Sequence, residues 1–302
     1  MQDILMRATC FVAIIFLGFI LRKRGFFGED AFPILSKMVI HLTLPASLIA
    51  SFSTLELDTS LLTIIPLGLG SGVLYILLAY VTQRKKGGAV QGFTMINLSG
   101  CNIGTFTLPF VLSFMGPMGI AATSLFDVGN AAICLGLSYS CASSAKDGTG
   151  FDWKRLARTL LHSTPFVCYV LVITLNLLHV PFPKPIVQFS GIVGGANAFL
   201  AMLMIGVGFH LSADRRQLSQ LARILLLRYS VAVLLALSFY FLLPFSLEIR
   251  KTLVLLCFSP IPSMAPAFTA ELGEDVGLSS AISSLSIVIS MVLFITVLTV
   301  LG

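Results

Sequence analysis

The chain has 302 residues, of which 57% are hydrophobic and 11% charged, and it carries 19 Lys and Arg against 13 Asp and Glu. Soluble domains carry about 25% charged residues, so this composition, with a mean hydropathy of +0.98, excludes an ordinary soluble domain. The net charge of +6 would suit nucleic acid, but the placement of the basic residues explains it without such a partner.

Long apolar runs recur from end to end, each near the roughly 20 residues a helix needs to cross a bilayer. The short alternating segments of a transmembrane barrel, about 10 residues each, are absent. The expected architecture is an all-α polytopic membrane protein with ten transmembrane helices. The spans fall at 4–21, 32–52, 61–82, 88–115, 119–142, 158–179, 187–211, 220–243, 251–270 and 277–301. Span 1 is not a cleavable leader, because its basic cluster Arg22–Lys23–Arg24 follows the apolar run.

Orientation follows from the loops. Fifteen of the 19 Lys and Arg fall on the side reached after span 1, among them Arg22, Lys23, Arg24, Lys85, Lys86, Arg158 and Arg228. Arg7, Lys184, Arg250 and Lys251 fall on the other. Both termini are therefore expected outside, periplasmic or extracellular, with a cytoplasmic linker at 146–157. No Lys or Arg is expected deep in a span. Lys37 is expected to snorkel to the inner surface. Six cysteines, all in apolar segments and without metal-type spacing, predict neither a disulfide framework nor a zinc site.

An internal repeat sets the organisation. "PFVLSFMGPMGIAATS" (109–124) aligns with "PAFTAELGEDVGLSSA" (266–281), pairing Pro109 with Pro266 and Gly116 with Gly273. Residues 1–145 then form one five-helix repeat and 158–302 a second. Five is odd, so the second copy is inverted in the membrane, an arrangement common in secondary transporters.

Spans 4 and 9 are equivalent in that repeat, and both are interrupted. Span 4 contains "INLSGCNIGTFTLP" (96–109), and span 9 contains "SPIPSMAP" (259–266). Proline removes a backbone donor and clashes with the preceding turn. In lipid, backbone groups so freed need protein or a water-lined cavity around them. One proline would suggest a packing kink, whereas two symmetric polar breaks suggest a binding site near the bilayer centre. Pro109 and Pro266, with Pro262 beside it, are suited to start new half-helices, whose N-termini attract anions. Asn97, Asn102, Cys101, Gly104, Thr105, Thr107, Ser259 and Ser263 would surround a guest, for which a carboxylate is the natural candidate. Carbonyl ends of the same broken helices could instead hold sodium.

These residues resemble the auxin efflux carrier family, in particular its bacterial members. The resemblance runs through "IIFLGFILRKRGFFGED" (14–30), "LSKMVIHLTLPASLIASFSTLELD" (35–58), "NIGTFTLP" (102–109), "FLAMLMIGVGFHL" (199–211) and "PSMAPAFTAELGEDVG" (262–277). It implies two inverted five-helix repeats, with spans 4 and 9 crossing at their breaks, in a bacterial inner membrane. It also implies transport of organic anions: auxin-like acids, or small mono- or dicarboxylates such as malonate or malate. Asn102 stands where the plant carriers place a substrate-contacting asparagine. Thr107 departs from the pattern, standing where many members have glycine.

Other polar residues carry paired readings. Asp127, the only acid deep in a span, with Asn130 one turn away, could carry a proton or help to hold sodium. It could equally make a structural hydrogen bond to a broken helix. In span 10 the matching place holds Ser283, Ser284 and Ser286. His41, one turn before Pro45, could titrate with transport or cap a free carbonyl at a kink. Asn197 could line a cavity or bind another helix. His210 reads as a helix end, and Glu271, Glu274 and Asp275 as loop acids, solvated or tied to basic loops. No cofactor is expected beyond proton or sodium coupling. The expected partners are a carboxylate substrate and the lipid bilayer, with a homodimer left open. The alternatives are a sodium-coupled symporter of the bile-acid type and a non-transporting membrane sensor. An intramembrane enzyme lacks its paired acids or Ser–His dyad.

Overall fold

The computed structural model describes residues 2–148, 152–209 and 217–301. Among these residues the chain is helical throughout, with no strand. Eight helices are long and apolar enough to cross a membrane, or nine when one bent pair is taken as a single span. That pair, Trp153–His162 and Thr164–Leu177, bends by 73°. Ser163 is extended at the junction, and Pro165 lies in the first turn of the second helix. The first helix is strongly amphipathic and buries only Leu156, while Trp153 and Leu161 stay exposed. It lies as an interfacial helix would, so span 6 begins at Thr164 rather than 158. The helix of span 5 runs on to Asp147, which shortens the linker. Residues 149–151, part of that linker, and His210 lie outside the described residues.

Close approach between spans depends on small residues. A Cβ on Gly206 of span 7 would stand 2.0 Å from the Ile15 carbonyl oxygen of span 1, and one on Gly68 of span 3 would stand 2.1 Å from that of Phe126 in span 5. Spans 2 and 7 cross where each is kinked. Span 2 carries a π turn at Val39–Thr43, just before Pro45. Span 7 breaks between Lys184–Gly195 and Asn197–Gly208. Thr43 Oγ1 donates to Asn197 Oδ1 at 2.8 Å and Ser47 Oγ to the Gly194 carbonyl at 3.0 Å, so Asn197 binds another helix.

Span 4 is the centre of the bundle: 83% of its most apolar window is buried, against 17% for span 1. Two apolar clusters lie on either side of its break. Toward one end Phe106, Phe110 and Phe294 stack within 5.2–5.5 Å of one another. Toward the other end Tyr75, Phe93, Leu225 and Ile282 pack together. Between these clusters runs a polar layer built from the two breaks. At the end bearing Lys146 and Arg155, those side chains pair with Glu274 (2.7 Å) and Glu271, and Gln217 donates to Asp275 at 2.6 Å. The three acids are tied to neighbouring polar groups. All six cysteines are free.

Candidate functional site

Span 4 starts as the helix Gly88–Leu98 and stops at Ser99, which is extended. Gly100 follows with φ +76°, and a Cβ there would meet Cys134 Sγ at 2.8 Å and Pro262 Cγ at 2.9 Å. Only glycine meets both demands, the left-handed backbone and the contact. Helix resumes as a π turn at Ile103–Thr107 and continues as Leu108–Phe114. The half-helix therefore begins at Ile103, with Asn102 before it, and not at Pro109. The widened turn explains the shift. It relaxes the i−4 pairing that proline cannot satisfy, so Pro109 sits buried inside the helix.

Span 9 breaks differently. Leu247–Cys257 ends, residues 258–264 are not helical, and Ala265–Glu271 follows with Pro266 in its first turn. There the missing N–H is one the helix would not have used. Neither piece alone is long enough to span a bilayer.

The two breaks touch. The Asn102 N–H donates to the Pro260 carbonyl at 2.8 Å. The Thr107 and Ser259 hydroxyls lie 2.7 Å apart. Each break is also held by the last helix of its own half. Asn130 Oδ1 accepts from the Cys101 N–H at 2.9 Å, and its Nδ2 donates to the Cys101 carbonyl and to Asp127 Oδ1, both at 2.8 Å. In span 10 Ser286 Oγ accepts from the Ile261 N–H at 3.0 Å. These side chains supply the partners that helix would otherwise have given.

A cation lies here that the sequence reading placed elsewhere. Arg228, counted above with the inner loops, is fully buried and bonds to Leu98 and Gly100 of one break and Ser259 of the other. The loop count becomes fourteen against four. The signal was present: the helix begins at Leu218, so Arg228 lies ten residues in, about 15 Å at 1.5 Å per residue. That is half of the roughly 30 Å hydrocarbon core.

Two cavities meet at the crossing, sharing Asn102, Thr105 and Ser263. The larger, about 550 Å³, is lined by Cys101, Asn102, Gly104, Thr105, Asp127, Asn130, Pro262 and Ser263, with His41, Arg158 and His162 further out. The smaller, about 470 Å³, is walled by Phe32, Met204, Ile205 and Pro266 and by Ser280, Ser283 and Ser284. The chemistry differs: one holds a carboxyl group and basic side chains, the other hydroxyls and the shared amide of Asn102. Asn102 Oδ1 accepts from Thr105 Oγ1 at 2.5 Å, and its amide N–H groups have no hydrogen-bond partner among the described residues. Asp127 faces Gly104, beside the buried hydroxyl of Tyr169, which has no hydrogen-bond partner among the described residues. His41 meets Thr164 Oγ1 at 2.7 Å through Nδ1 and so joins spans 2 and 6.

Four predicted residues stand apart from the cavities: Thr107 and Ser259, which bond to each other at the crossing, and Asn97 and Pro109. Asn97 is fully buried and ties span 4 to the far side of the second break, with Nδ2 donating to Thr269 (3.2 Å) and Oδ1 accepting from Ser279 (2.5 Å). Pro109 is buried within the helix Leu108–Phe114. Arg228, Tyr169 and Ser286 are the residues that sequence reasoning missed as partners of the site.

Residues 4–149 match the family described as Membrane transport protein. That stretch, just under half of the chain, is similar to members of this family, the auxin efflux carriers. Across nearly the whole length, the chain is 24% identical over 295 residues to an uncharacterized transporter of Methanothermobacter thermautotrophicus, covering 93% of each protein. Similarity to a membrane transport family and to a transporter, together with the apolar helices, supports a multi-pass membrane protein.

Proposed function

We propose that the protein is a secondary carrier of small organic anions, working by alternating access in a bacterial inner membrane with both termini outside. The observation that carries this reading is the bonded crossing of two broken spans at the floor of a 550 Å³ cavity. Broken helices meeting near mid-bilayer are the usual site of substrate in such carriers. Arg158, His41 and His162 give the cavity a basic approach for an anion. The amide of Asn102 and the positive end of the Ile103 half-helix are suited to a carboxylate.

The proposal includes ten crossings in two inverted repeats. The packing favours this, because pairs recur under exchange of the halves. Span 1 packs on span 7 as span 6 packs on span 2, and span 4 on span 5 as span 9 on span 10. Asn130 and Ser286 play parallel parts, each accepting from a backbone N–H of the break in its own half. Asp127 is the candidate proton carrier. With Asp127→Asn, exchange of substrate should persist while the response to an imposed pH gradient disappears.

Counterflow in proteoliposomes with labelled malonate, malate and an aromatic acid tests the reading. Saturable exchange of one acid, reduced about tenfold or more in Asn102→Ala at unchanged expression, is the expected result. Full activity of that variant would remove Asn102 from the site. Absence of exchange for every acid, by folded protein, would remove the carboxylate reading.

A further inference from the structure

At the crossing the bundle buries a full positive charge without a carboxylate. Arg228 is 0% exposed, and arginine keeps its proton in proteins. Nη1 donates to the Leu98 carbonyl at 2.5 Å, and Nη2 donates to the carbonyls of Gly100 and Ser259, both at 2.8 Å. The Pro260 carbonyl is 3.4 Å away, and the Tyr75 ring centroid lies 5.2 Å from the guanidinium carbon. No carboxylate among the described residues forms an ion pair with it; the pairs are Lys146–Glu274 and Arg155–Glu271.

Burying an ion costs several kcal/mol unless its surroundings return that energy. Here the return comes from carbonyl dipoles. Leu98 is the last residue of its half-helix, where the macrodipole is negative. Ser259 and Pro260 lie just past the end of Leu247–Cys257. These are the oxygens a sodium ion takes in carriers built on broken helices, where unwound carbonyls and half-helix C-termini coordinate the coupling ion. A guanidinium already fills that position, and its donors hold one break to the other.

We propose that Arg228 is a built-in cation of the crossing. It takes the carbonyl ligands that a coupling sodium ion would need, and so the protein folds and works without sodium. It also leaves a fixed positive charge behind Gly100 and Cys101, next to the cavity, which favours an anionic guest over a cationic one. Only the statement about coupling rests on the carrier reading; the statement about what fills the carbonyl cluster does not.

Thermal unfolding of the purified full-length protein in detergent tests this without any substrate. The wild type is expected to unfold at the same temperature in sodium chloride and choline chloride of equal ionic strength. Arg228→Ala is expected to unfold about 10 °C lower in choline. Millimolar guanidinium or sodium should restore at least half of that loss, and urea, the neutral analogue, none. Arg228→Lys keeps the charge with fewer donors, so it should unfold between the two and ignore sodium. Stabilisation of the wild type by sodium would overturn the proposal. So would an Arg228→Ala deficit that guanidinium and sodium leave unchanged, or that choline restores equally. If Arg228→Ala yields no folded protein, Arg228→Gln against Arg228→Lys decides in the same way: the first must respond to sodium and the second must not. Exchange by the wild type should likewise be equal in sodium and choline. Failure to find any exchanged acid would count against the carrier reading while the stability measurement still stood.

Discussion

The breaks in spans 4 and 9 occupy equivalent places, yet they are built by different means. Span 4 is interrupted over only four residues, 99–102, and recovers helix through a π turn that accommodates Pro109 inside it. At its centre Asn130 makes an amide-like pair with both the N–H and the carbonyl of Cys101, while Arg228 holds the carbonyls of Leu98 and Gly100. Span 9 stays non-helical over seven residues, 258–264, because two prolines there, Pro260 and Pro262, remove donors that helix would need. Ser286 holds one of its N–H groups, and Arg228 holds its carbonyls. The same contrast continues into the cavities: Asp127 on one side, Ser283 on the other. A repeated architecture needs its backbone groups satisfied twice, but nothing obliges the two copies to use the same side chains.

The contrast is sharpened by removing each support in turn. Asn130→Ala strands the buried Cys101 N–H and takes the donor from Asp127 Oδ1, each costing about 1–3 kcal/mol. It should therefore destabilise by about 3 kcal/mol, read as the largest loss of thermal stability among these variants. A loss no greater than that of a surface substitution would mean that water replaces the amide. Ser286→Ala removes one acceptor, for Ile261, and should cost about 1–2 kcal/mol by the same measurement. Equal costs for the two would break the asymmetry drawn here. Ser283→Ala is the smallest. Its Oγ has no hydrogen-bond partner, so stability should change by less than about 0.5 kcal/mol. A clear loss would reveal a bound water or ligand in the smaller cavity.

Much of the site was legible in the chain. The doubled Gly and Pro signals marked both breaks, and Asn102, Cys101, Gly104, Thr105, Asp127, Asn130, His41, Pro262 and Ser263 all line the larger cavity. Three assignments depended on geometry that sequence does not carry. Asn97 reads as polar and central, but its direction around the helix turns it toward Thr269 and Ser279. Pro109 reads as a half-helix start, but the π turn before it moves that start to Ile103. Arg228 reads as a loop charge until the first turn of its helix is fixed at Leu218.

The sequence by itself determined the apolar helical class and the breaks in spans 4 and 9. These follow from composition and from the local chemistry of glycine and proline, which act over a few residues. Only the tertiary structure decided which side chains replace the lost helical bonds, which polar groups face a cavity, and that an arginine sits between the breaks. Those outcomes depend on the rotation and register of helices far apart in the chain. Arg228 meets Leu98 across 130 residues, and a shift of one residue in helix phase, about 100°, would turn it away.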